Sequence, residues 1–149
     1  MVQTPLTLSG CLIINDKQEL LLLFRKDHRH YETPGGKVKK EECRDLSNPS
    51  RDELMRAALR ELSEEMGTGM HVESIKYFGS VIAKTPDRRP IRAHKFILKI
   101  AGTPKIMEPE TFSHMKYLPI ANLAKFQISP DLKLLVPKLK KYAERHQHL

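Results

Sequence analysis

Cysteine and long apolar runs are scarce in this chain. Only two cysteines are present, and the longest purely apolar stretch, Leu20 to Phe24, is far too short to cross a bilayer. Cys11 lies in an apolar run and is expected in the core, whereas Cys43 lies among acidic residues, so we expect no disulfide between them. The N-terminal segment lacks the basic region of a secretory signal, which favours a cytoplasmic location.

An excess of basic charge characterises the composition. Lys and Arg total 26 against 18 Asp and Glu, which gives a net charge of +8. Such a balance attracts polyanions, but the basic residues are scattered and show no zinc-finger spacing or aromatic nucleic-acid signature. We therefore expect no stable nucleic-acid partner and no membrane association. A merely solvated basic surface and a phosphate-rich small substrate both remain open interpretations.

The 149 residues fit a single domain, 1–149, with its own core. The strongest predicted element is a helix from Arg51 to Met66. Ser50 is a suitable N-cap, Glu53 stands at the capping-box spacing, and Gly67 is a suitable stop. Strands precede and follow this helix, and a second helix ends the chain. This order predicts an α/β (α+β) fold with a mixed sheet between helices.

The remaining elements are expected from apolar patterning and turn residues. Pro137 is expected to kink the last helix or to mark its first turn. The predicted strands are Thr7 to Ile14, Glu19 to Arg25, Val72 to Ala83, Ile91 to Ile100 and Met115 to Leu118, the first two forming a hairpin; Tyr31 to Gly36 and Lys37 to Ser50 are predicted loops; the last helix begins at Ser129-Pro130 and runs to about Glu144.

Three carboxylates crowd one face of the first helix. At about 100° per residue, Glu61, Glu64 and Glu65 lie within about one turn of each other. They repel one another and stand near the helix C-terminus, where the helix dipole disfavours negative charge. A bound divalent cation would reverse that argument, and Mg²⁺ prefers such oxygen ligands. The alternative is a solvated acidic face partly neutralised by Arg56 and Arg60.

The segment Arg60-Glu61-Leu62-Ser63-Glu64-Glu65-Met66-Gly67 resembles the second half of the Nudix box, R-E-U-x-E-E-x-G-U, where U is bulky and apolar. Thr68 stands at the last position instead of an aliphatic residue. Upstream, the Pro-Gly-Gly within Tyr31 to Val38 is similar to the glycine-bearing segment with which the box begins. The resemblance covers nearly the whole chain and implies a Nudix-type α/β/α sandwich with a mixed central sheet.

Two departures from the box concern its first half. The family places a Glu eight residues before the Arg, and Asp52 stands there in this chain. The family also places the glycine six residues before that Glu, whereas Gly36 lies sixteen residues before Asp52. The box is therefore expected to carry about ten additional residues within Lys37 to Ser50, an insertion of small thermodynamic cost that could reshape the rim of the site.

The resemblance implies hydrolysis of a phosphoanhydride bond with Mg²⁺ as the cofactor and Mn²⁺ as the alternative. It implies Glu61 and Glu65 as metal ligands and Glu64 as a third ligand or the group that positions water. The backbone carbonyl of Gly36 is a further implied ligand. Arg60 is expected to orient a box carboxylate; its alternative is a surface partner for Glu64.

The catalytic base varies within the family. It is either a box glutamate or a carboxylate from a later loop, for which Glu108 and Glu110 are the candidates. Glu110 is preferred because it precedes Tyr117 at nearly the distance expected of MutT-type members. Loop carboxylates are also common as solvated charges, so that interpretation stays open.

The substrate is expected to be a small nucleotide. Asp131 resembles the polar residue that reads the base in MutT-type triphosphatases, or it is a first-turn carboxylate stabilised by the helix dipole. Tyr31 or Phe78 is a candidate to stack on a base. Lys37 is expected to meet phosphates, and Arg25 and Arg88 are further candidates.

The resemblance favours hydrolysis of a (deoxy)nucleoside triphosphate to the monophosphate and pyrophosphate. ADP-ribose and dinucleoside polyphosphates are the alternative substrates. A second class of function is a catalytically inactive nucleotide-binding module with the Nudix fold. A third is a basic nucleic-acid binder, which would show steep salt dependence. The sequence leaves a monomer and a homodimer equally open.

Overall fold

The computed structural model describes residues 4 to 146. In chain order, it contains the strands β1 (Leu6–Ile13), β2 (Glu19–Arg25), β3 (His30–Glu32) and β4 (Gly35–Lys37), a short 3₁₀ helix (Lys40–Glu42), helix α1 (Arg51–Met66), the strands β5 (Met70–Lys84), β6 (Pro90–Gly102) and β7 (Phe112–Pro119), a second 3₁₀ helix (Ile120–Lys125) and helix α2 (Pro130–Arg145).

The strands form two sheets. The first has the order β4-β1-β6-β5 and is mixed, because β1 runs parallel to β6 whereas the other pairs are antiparallel. The second has the order β3-β2-β7 and is antiparallel throughout. The mixed sheet brings β4, which carries the Gly-Gly pair, against β1 and leaves the long strand β5 at its edge.

Helix α1 packs against β1 in one of two core clusters. The Ser9 hydroxyl on β1 donates to the Leu54 carbonyl at 2.5 Å, and the Cys11 thiol approaches the Ala58 carbonyl at 3.7 Å. These buried contacts fix the helix relative to the sheet. Helix α2 packs in the second cluster, with Leu12, Leu20 and Leu22. The sheets therefore lie between two helical layers, as predicted.

Local signals predicted helix α1 accurately. It spans Arg51–Met66, the Ser50 side chain accepts from Glu53 N–H in a capping box, and Gly67 ends it with a φ of 82°. Helix α2 begins at Pro130 and has Ser129 at the N-cap position, although the Ser129 side chain makes no capping hydrogen bond. Pro137 lies inside α2, so it does not mark the first turn.

The predicted hairpin of the first two strands is wrong. β1 and β2 belong to different sheets, and only the isolated bridge between Ile14 and Leu20 joins their ends. Each strand finds a better-matched partner further along the chain, β6 for β1 and β7 for β2. The segments predicted as loops after Tyr31 also contain β3, β4 and a 3₁₀ helix. These strands are too short to show a period in sequence.

Both cysteines are free, with Cys11 buried and Cys43 partly buried. Within residues 4 to 146, no helix combines the length and the apolar character that a bilayer crossing requires.

Candidate active site

A cavity of about 400 Å³ opens between the mixed sheet, the C-terminal half of α1 and the first turn of α2. Carboxylates from α1 and from the loop before β7 line one part of it, namely Glu61, Glu65 and Glu108. Two charged side chains, Lys95 and Asp131, line another part. The cavity therefore joins an acidic region to a region with one charge of each sign.

The two glycines of β4 bring backbone against the acidic region. The Gly35 N–H donates to Glu65 Oε1 at 2.7 Å. A Cβ atom at Gly36 would lie 2.5 Å from both the Cδ and the Oε1 atom of Glu61. A larger residue at this position would therefore displace the Glu61 carboxylate from its place against the strand. Pairing of β4 with β1 holds both glycines in place, since Gly36 is opposite Ser9 and Gly35 opposite Gly10.

The acidic region concentrates negative charge in a poorly hydrated place. The pKa of Glu65 is raised to about 9, mainly by burial and further by the charges of Glu61, Glu32 and Glu108, against the opposing effect of the Gly35 N–H. Burial and the charge of Glu61 also raise the pKa of Glu108. Glu65 and Glu108 therefore resist ionisation, mainly because they are poorly hydrated and further because neighbouring carboxylates repel a second negative charge. A cation placed among them would relieve that repulsion.

Arg60 ties several box carboxylates together. Its Nε and Nη2 atoms donate to the two oxygens of Glu42 at 2.7 and 2.8 Å, a bidentate pair. Its Nη1 atom donates to Glu61 Oε1 at 2.9 Å and to both oxygens of Glu64 at 3.1 Å. A last bond reaches the Lys37 carbonyl at 3.0 Å. The orienting role predicted for Arg60 thus has a structural basis, with Glu42 as its main partner.

The glutamate of the first half of the box corresponds to Glu42 and not to Asp52. Glu42 lies six residues after Gly36, the spacing that the box assigns to its own glutamate. Asp52 lies exposed in the first turn of α1. The additional residues therefore follow Glu42 and lengthen the connection to α1. Counting forward from Gly36, instead of backward from Arg60, would have identified Glu42 from the sequence.

The lengthened connection lies outside the cavity. Among the described residues that line the cavity, none falls between Val38 and Arg60. The connection instead contacts the beginning of β1, where the Thr7 hydroxyl approaches the Leu46 carbonyl at 3.5 Å, and the N-terminus of α1, where Arg44 N–H donates to Glu53 at 3.0 Å. The expectation that it reshapes the rim of the site is not met.

The carboxylate set fits a hard divalent cation in charge and in ligand type. The space that Gly36 leaves beside Glu61 and the buried, charge-crowded Glu65 support that fit. Within residues 4 to 146, no three acidic, histidine or cysteine side chains are already arranged to enclose an ion. Glu64, predicted as a third ligand, is exposed and engaged by Arg60. Glu61 and Glu65, with Glu108, are the residues best placed to hold a cation.

The other charged region is a buried ion pair. Lys95 on β6 and Asp131 in the first turn of α2 are 5% and 8% exposed, and Lys95 Nζ lies 2.9 Å from Asp131 Oδ2. Lys95 also donates to the Thr33 hydroxyl at 2.7 Å. Burial alone would raise the pKa of Asp131, but the charge and hydrogen bond of Lys95 outweigh it and lower the pKa. The Asp131 carboxyl is therefore held in its ionised form.

Sequence reasoning missed Lys95, Thr33 and Glu42. Besides the spacing that marks Glu42, the sequence contains a signal for Lys95, because Lys95 interrupts an otherwise apolar alternation on β6 between Ala93 and Ile97. A charged residue at such an inward position needs a partner, and the partner is Asp131 from a distant helix.

Of the predicted phosphate ligands, Lys37 and Arg25 line the cavity and Arg88 does not. Arg25 is already paired with Asp27 and Glu32, at 2.9 and 3.0 Å. Arg88 lies exposed in the turn between β5 and β6. Lys37 is therefore the better placed of the three to meet an anionic ligand.

The fold places both predicted stacking residues, and one of the two candidate loop carboxylates, outside the cavity. Tyr31 and Phe78 are not among the residues that line the cavity. The Tyr31 hydroxyl bonds His114 at 3.0 Å, and Phe78 packs against Tyr142. Glu110 is exposed and does not line the cavity, whereas Glu108 does.

The geometry agrees with what comparisons with known proteins show. The family model described as the NUDIX domain matches residues 6–139. No curated protein gives a significant sequence match.

Three solved structures illustrate the range of similar folds. The MutT protein from Methanosarcina mazei Go1 is 19% identical with a TM-score of 0.71, over 95% of this chain and 98% of that one. The NUDIX domain of Shewanella oneidensis NrtR, complexed with ADP ribose, is 17% identical with a TM-score of 0.70, over 95% and 90%. A C. elegans Ap4A hydrolase in a binary complex is 16% identical with a TM-score of 0.60, over 92% and 96%.

Proposed function

Since this chain belongs to the Nudix family, we propose that it is a Mg²⁺-dependent hydrolase of (deoxy)nucleoside triphosphates, which releases the monophosphate and pyrophosphate. Family membership confirms the predicted family and fold class and supports the prediction of a pyrophosphohydrolase. The observation that carries the proposal is one cavity containing both Glu61, Glu65 and Glu108 and the Lys95–Asp131 pair. A polyphosphate with a base at one end matches those two regions.

The acidic region is proposed to hold Mg²⁺, with Mn²⁺ as a substitute. A dication bound there neutralises charge on the phosphates and lowers the pKa of water. Glu61 and Glu65 are the proposed ligands, with the Gly36 carbonyl and Glu64 as further ones. Because Arg60 holds Glu61 and Glu64, it fixes where their oxygens lie. Lys37 lies on the same cavity wall and is proposed to meet the phosphates.

The reaction needs a group that removes a proton from water as the new O–P bond forms and the anhydride P–O bond breaks. Pyrophosphate leaves with the electron pair of the broken bond. Glu108 is favoured over Glu110 as that base, because Glu108 lines the cavity and Glu110 does not. That Glu110 is the catalytic base stays a prediction, which substitution of Glu110 would test.

ADP-ribose and dinucleoside polyphosphates are kept as alternative substrates, since similar structures carry those names. Both contain the same phosphoanhydride bond beside a nucleoside. An inactive nucleotide-binding module is disfavoured by Glu61 and Glu65, which remain together in the cavity with their glycine contacts.

The experiment is a nucleotide panel assayed for phosphate and pyrophosphate release, with Mg²⁺ and with EDTA. We expect pyrophosphate release from at least one triphosphate only with the metal. Glu61→Gln should reduce kcat by at least about a hundredfold, since it disturbs charge stabilisation at the reacting phosphates. Asp52→Asn is the matched control, since Asp52 is an exposed acid of the same helix. Nucleotide binding without turnover in any member of the panel would support the inactive module instead.

A further inference from the structure

The buried Lys95 has hydrogen-bonding capacity that the fold does not use. Its ammonium group has three N–H donors. One goes to the Thr33 hydroxyl and one to Asp131, at 2.7 and 2.9 Å. The third has no partner among residues 4 to 146, although Lys95 is only 5% exposed. A buried donor is rarely left unpaired unless a ligand or water completes it.

Ser129 gives an independent indication at the same place. Ser129 is 3% exposed and lines the cavity, and its Oγ atom makes no hydrogen bond of good geometry within residues 4 to 146, although it lies close enough to Asp131 to help lower the pKa of that carboxyl. As the N-cap residue of α2 it would ordinarily bond the first turn of the helix, but it makes no such bond. The spare donor of Lys95 and the Ser129 hydroxyl therefore both lie in the cavity wall, each next to the Asp131 carboxylate.

The path to these groups is apolar. Leu6 and Leu8 on β1 and Ile91 on β6 line the cavity. Ile91 and Lys95 point to the same side of β6, since alternate residues of a strand share a face. A flat ring lying on this aliphatic surface would direct its edge at Lys95.

We propose that Lys95 determines base specificity by donating to a keto oxygen on the base edge, with Ser129 as a second hydrogen-bonding group. The proposal rests on the proposed function, since it names the class of nucleotide that the same cavity accepts. The Lys95 ammonium group can donate hydrogen bonds but cannot accept one. An exocyclic amino group at that position would set donor against donor, and both would lose their hydrogen bonds to water.

Asp131 is a positioning residue in this arrangement. Its Oδ2 atom is taken by Lys95, and this buried contact fixes where the ammonium group lies. The prediction that Asp131 reads the base is thereby refined, because Asp131 acts through Lys95. Guanine, hypoxanthine, uracil and thymine present a keto group at the position where adenine and cytosine present an amino group.

The test compares nucleotides that differ in that group and in the protonation of the ring nitrogen next to it. ITP against ATP, and UTP against CTP, exchange a keto for an amino group with little change in shape. For the wild-type protein we expect kcat/KM to favour the keto member of each pair by about tenfold or more, since a buried polar group left unpaired has that order of effect. A preference for ATP over ITP would overturn the proposal.

Substitutions then assign the preference to Lys95. Lys95→Met removes the donor, so both kcat/KM ratios should fall to within about threefold of unity. Lys95→Arg keeps a donor that cannot accept, so it should keep the preference for the keto nucleotide. Because Lys95→Met alone leaves the Asp131 carboxylate buried without its partner, the double variant Lys95→Met/Asp131→Asn is the version expected to fold well. Unchanged ratios in a folded Lys95→Met/Asp131→Asn protein would also overturn the proposal.

A binding measurement separates this proposal from the proposed function. Calorimetric titration of ITP and ATP into the Glu61→Gln variant with Mg²⁺ reports base preference without turnover. Tighter binding of ITP supports the keto proposal even if no nucleotide is hydrolysed by the wild-type protein. Equal binding of the two nucleotides, or binding of neither, contradicts it, whatever the hydrolysis assay shows.

Discussion

Replacing Glu42 tests how the box is held together. Glu42 and Arg60 form a bidentate pair at 2.7 and 2.8 Å, and their side chains are only 16% and 22% exposed. In Glu42→Gln the side chain keeps its shape but loses its charge, and its amide N–H₂ faces a guanidinium that has only donors. The main anchor of Arg60 is then removed.

The size of the expected loss of stability follows from the hydrogen bonds that Arg60 keeps in the variant. A hydrogen bond to a charged group contributes about 1.5–3 kcal/mol, but Arg60 keeps its bonds to Glu61 and Glu64. We therefore expect Glu42→Gln to lower the free energy of unfolding by about 2 kcal/mol, a decrease in Tm of about 4–8 °C for a domain of this size. Since Arg60 also orients Glu61, kcat should fall by about tenfold to a hundredfold, with a smaller change in KM.

The assay pairs thermal unfolding with steady-state hydrolysis, and Asp52→Asn is the control. Asp52 is exposed on the first turn of α1, so its substitution should change the free energy of unfolding by less than about 0.5 kcal/mol. The reasoning is refuted if Asp52→Asn impairs stability and kcat as much as Glu42→Gln does, or if Glu42→Gln leaves both unchanged.

Two further predictions concern the acidic region. Gly36→Ala places a Cβ atom 2.5 Å from the Glu61 carboxylate, so the flexible end of Glu61 should move. We expect kcat to fall by about a hundredfold, with little change in the circular dichroism spectrum. Activity near that of the wild type would contradict the role of this contact. The pKa of Glu65, about 9 in the fold, lies above its ordinary value, so the metal-free protein should lose stability as the pH rises from 5 through 9, since ionisation then opposes folding. Glu65→Gln should flatten this decrease in Tm, and parallel profiles for the two proteins would show that Glu65 is not its source.

Much of the fold could be predicted because its signals are local. Helix α1 has its cap, its capping box and its terminal glycine within the helix or next to it, and its bounds agree with the prediction. Partners of strands are not local: β1 pairs with β6, more than seventy residues away, and no turn chemistry specifies that choice. The predicted hairpin failed because sequence proximity was taken as a guide to pairing.

In the candidate site, too, only the features that depend on local geometry could be predicted. Glu61, Glu64 and Glu65 could be predicted as a group because helical geometry alone brings them together. That Glu65 would be buried against Gly35 while Glu64 would stay exposed depends on where β4 lies, which the sequence does not state. The Lys95–Asp131 pair joins a strand to a helix far along the chain, so only the assembled fold reveals it.

The long connection between Glu42 and α1 also makes the protein convenient to label. Cys43 follows directly after the residue that anchors Arg60, and the only other thiol, Cys11, is inside the core. Partial burial and nearby acids raise the pKa of the Cys43 thiol, so a maleimide dye should attach there selectively but slowly, and faster in alkaline buffer. A fluorophore at that point would adjoin Arg60 outside the residues that line the cavity, and a change in its emission on addition of a nucleotide or Mg²⁺ would test the proposed binding in real time.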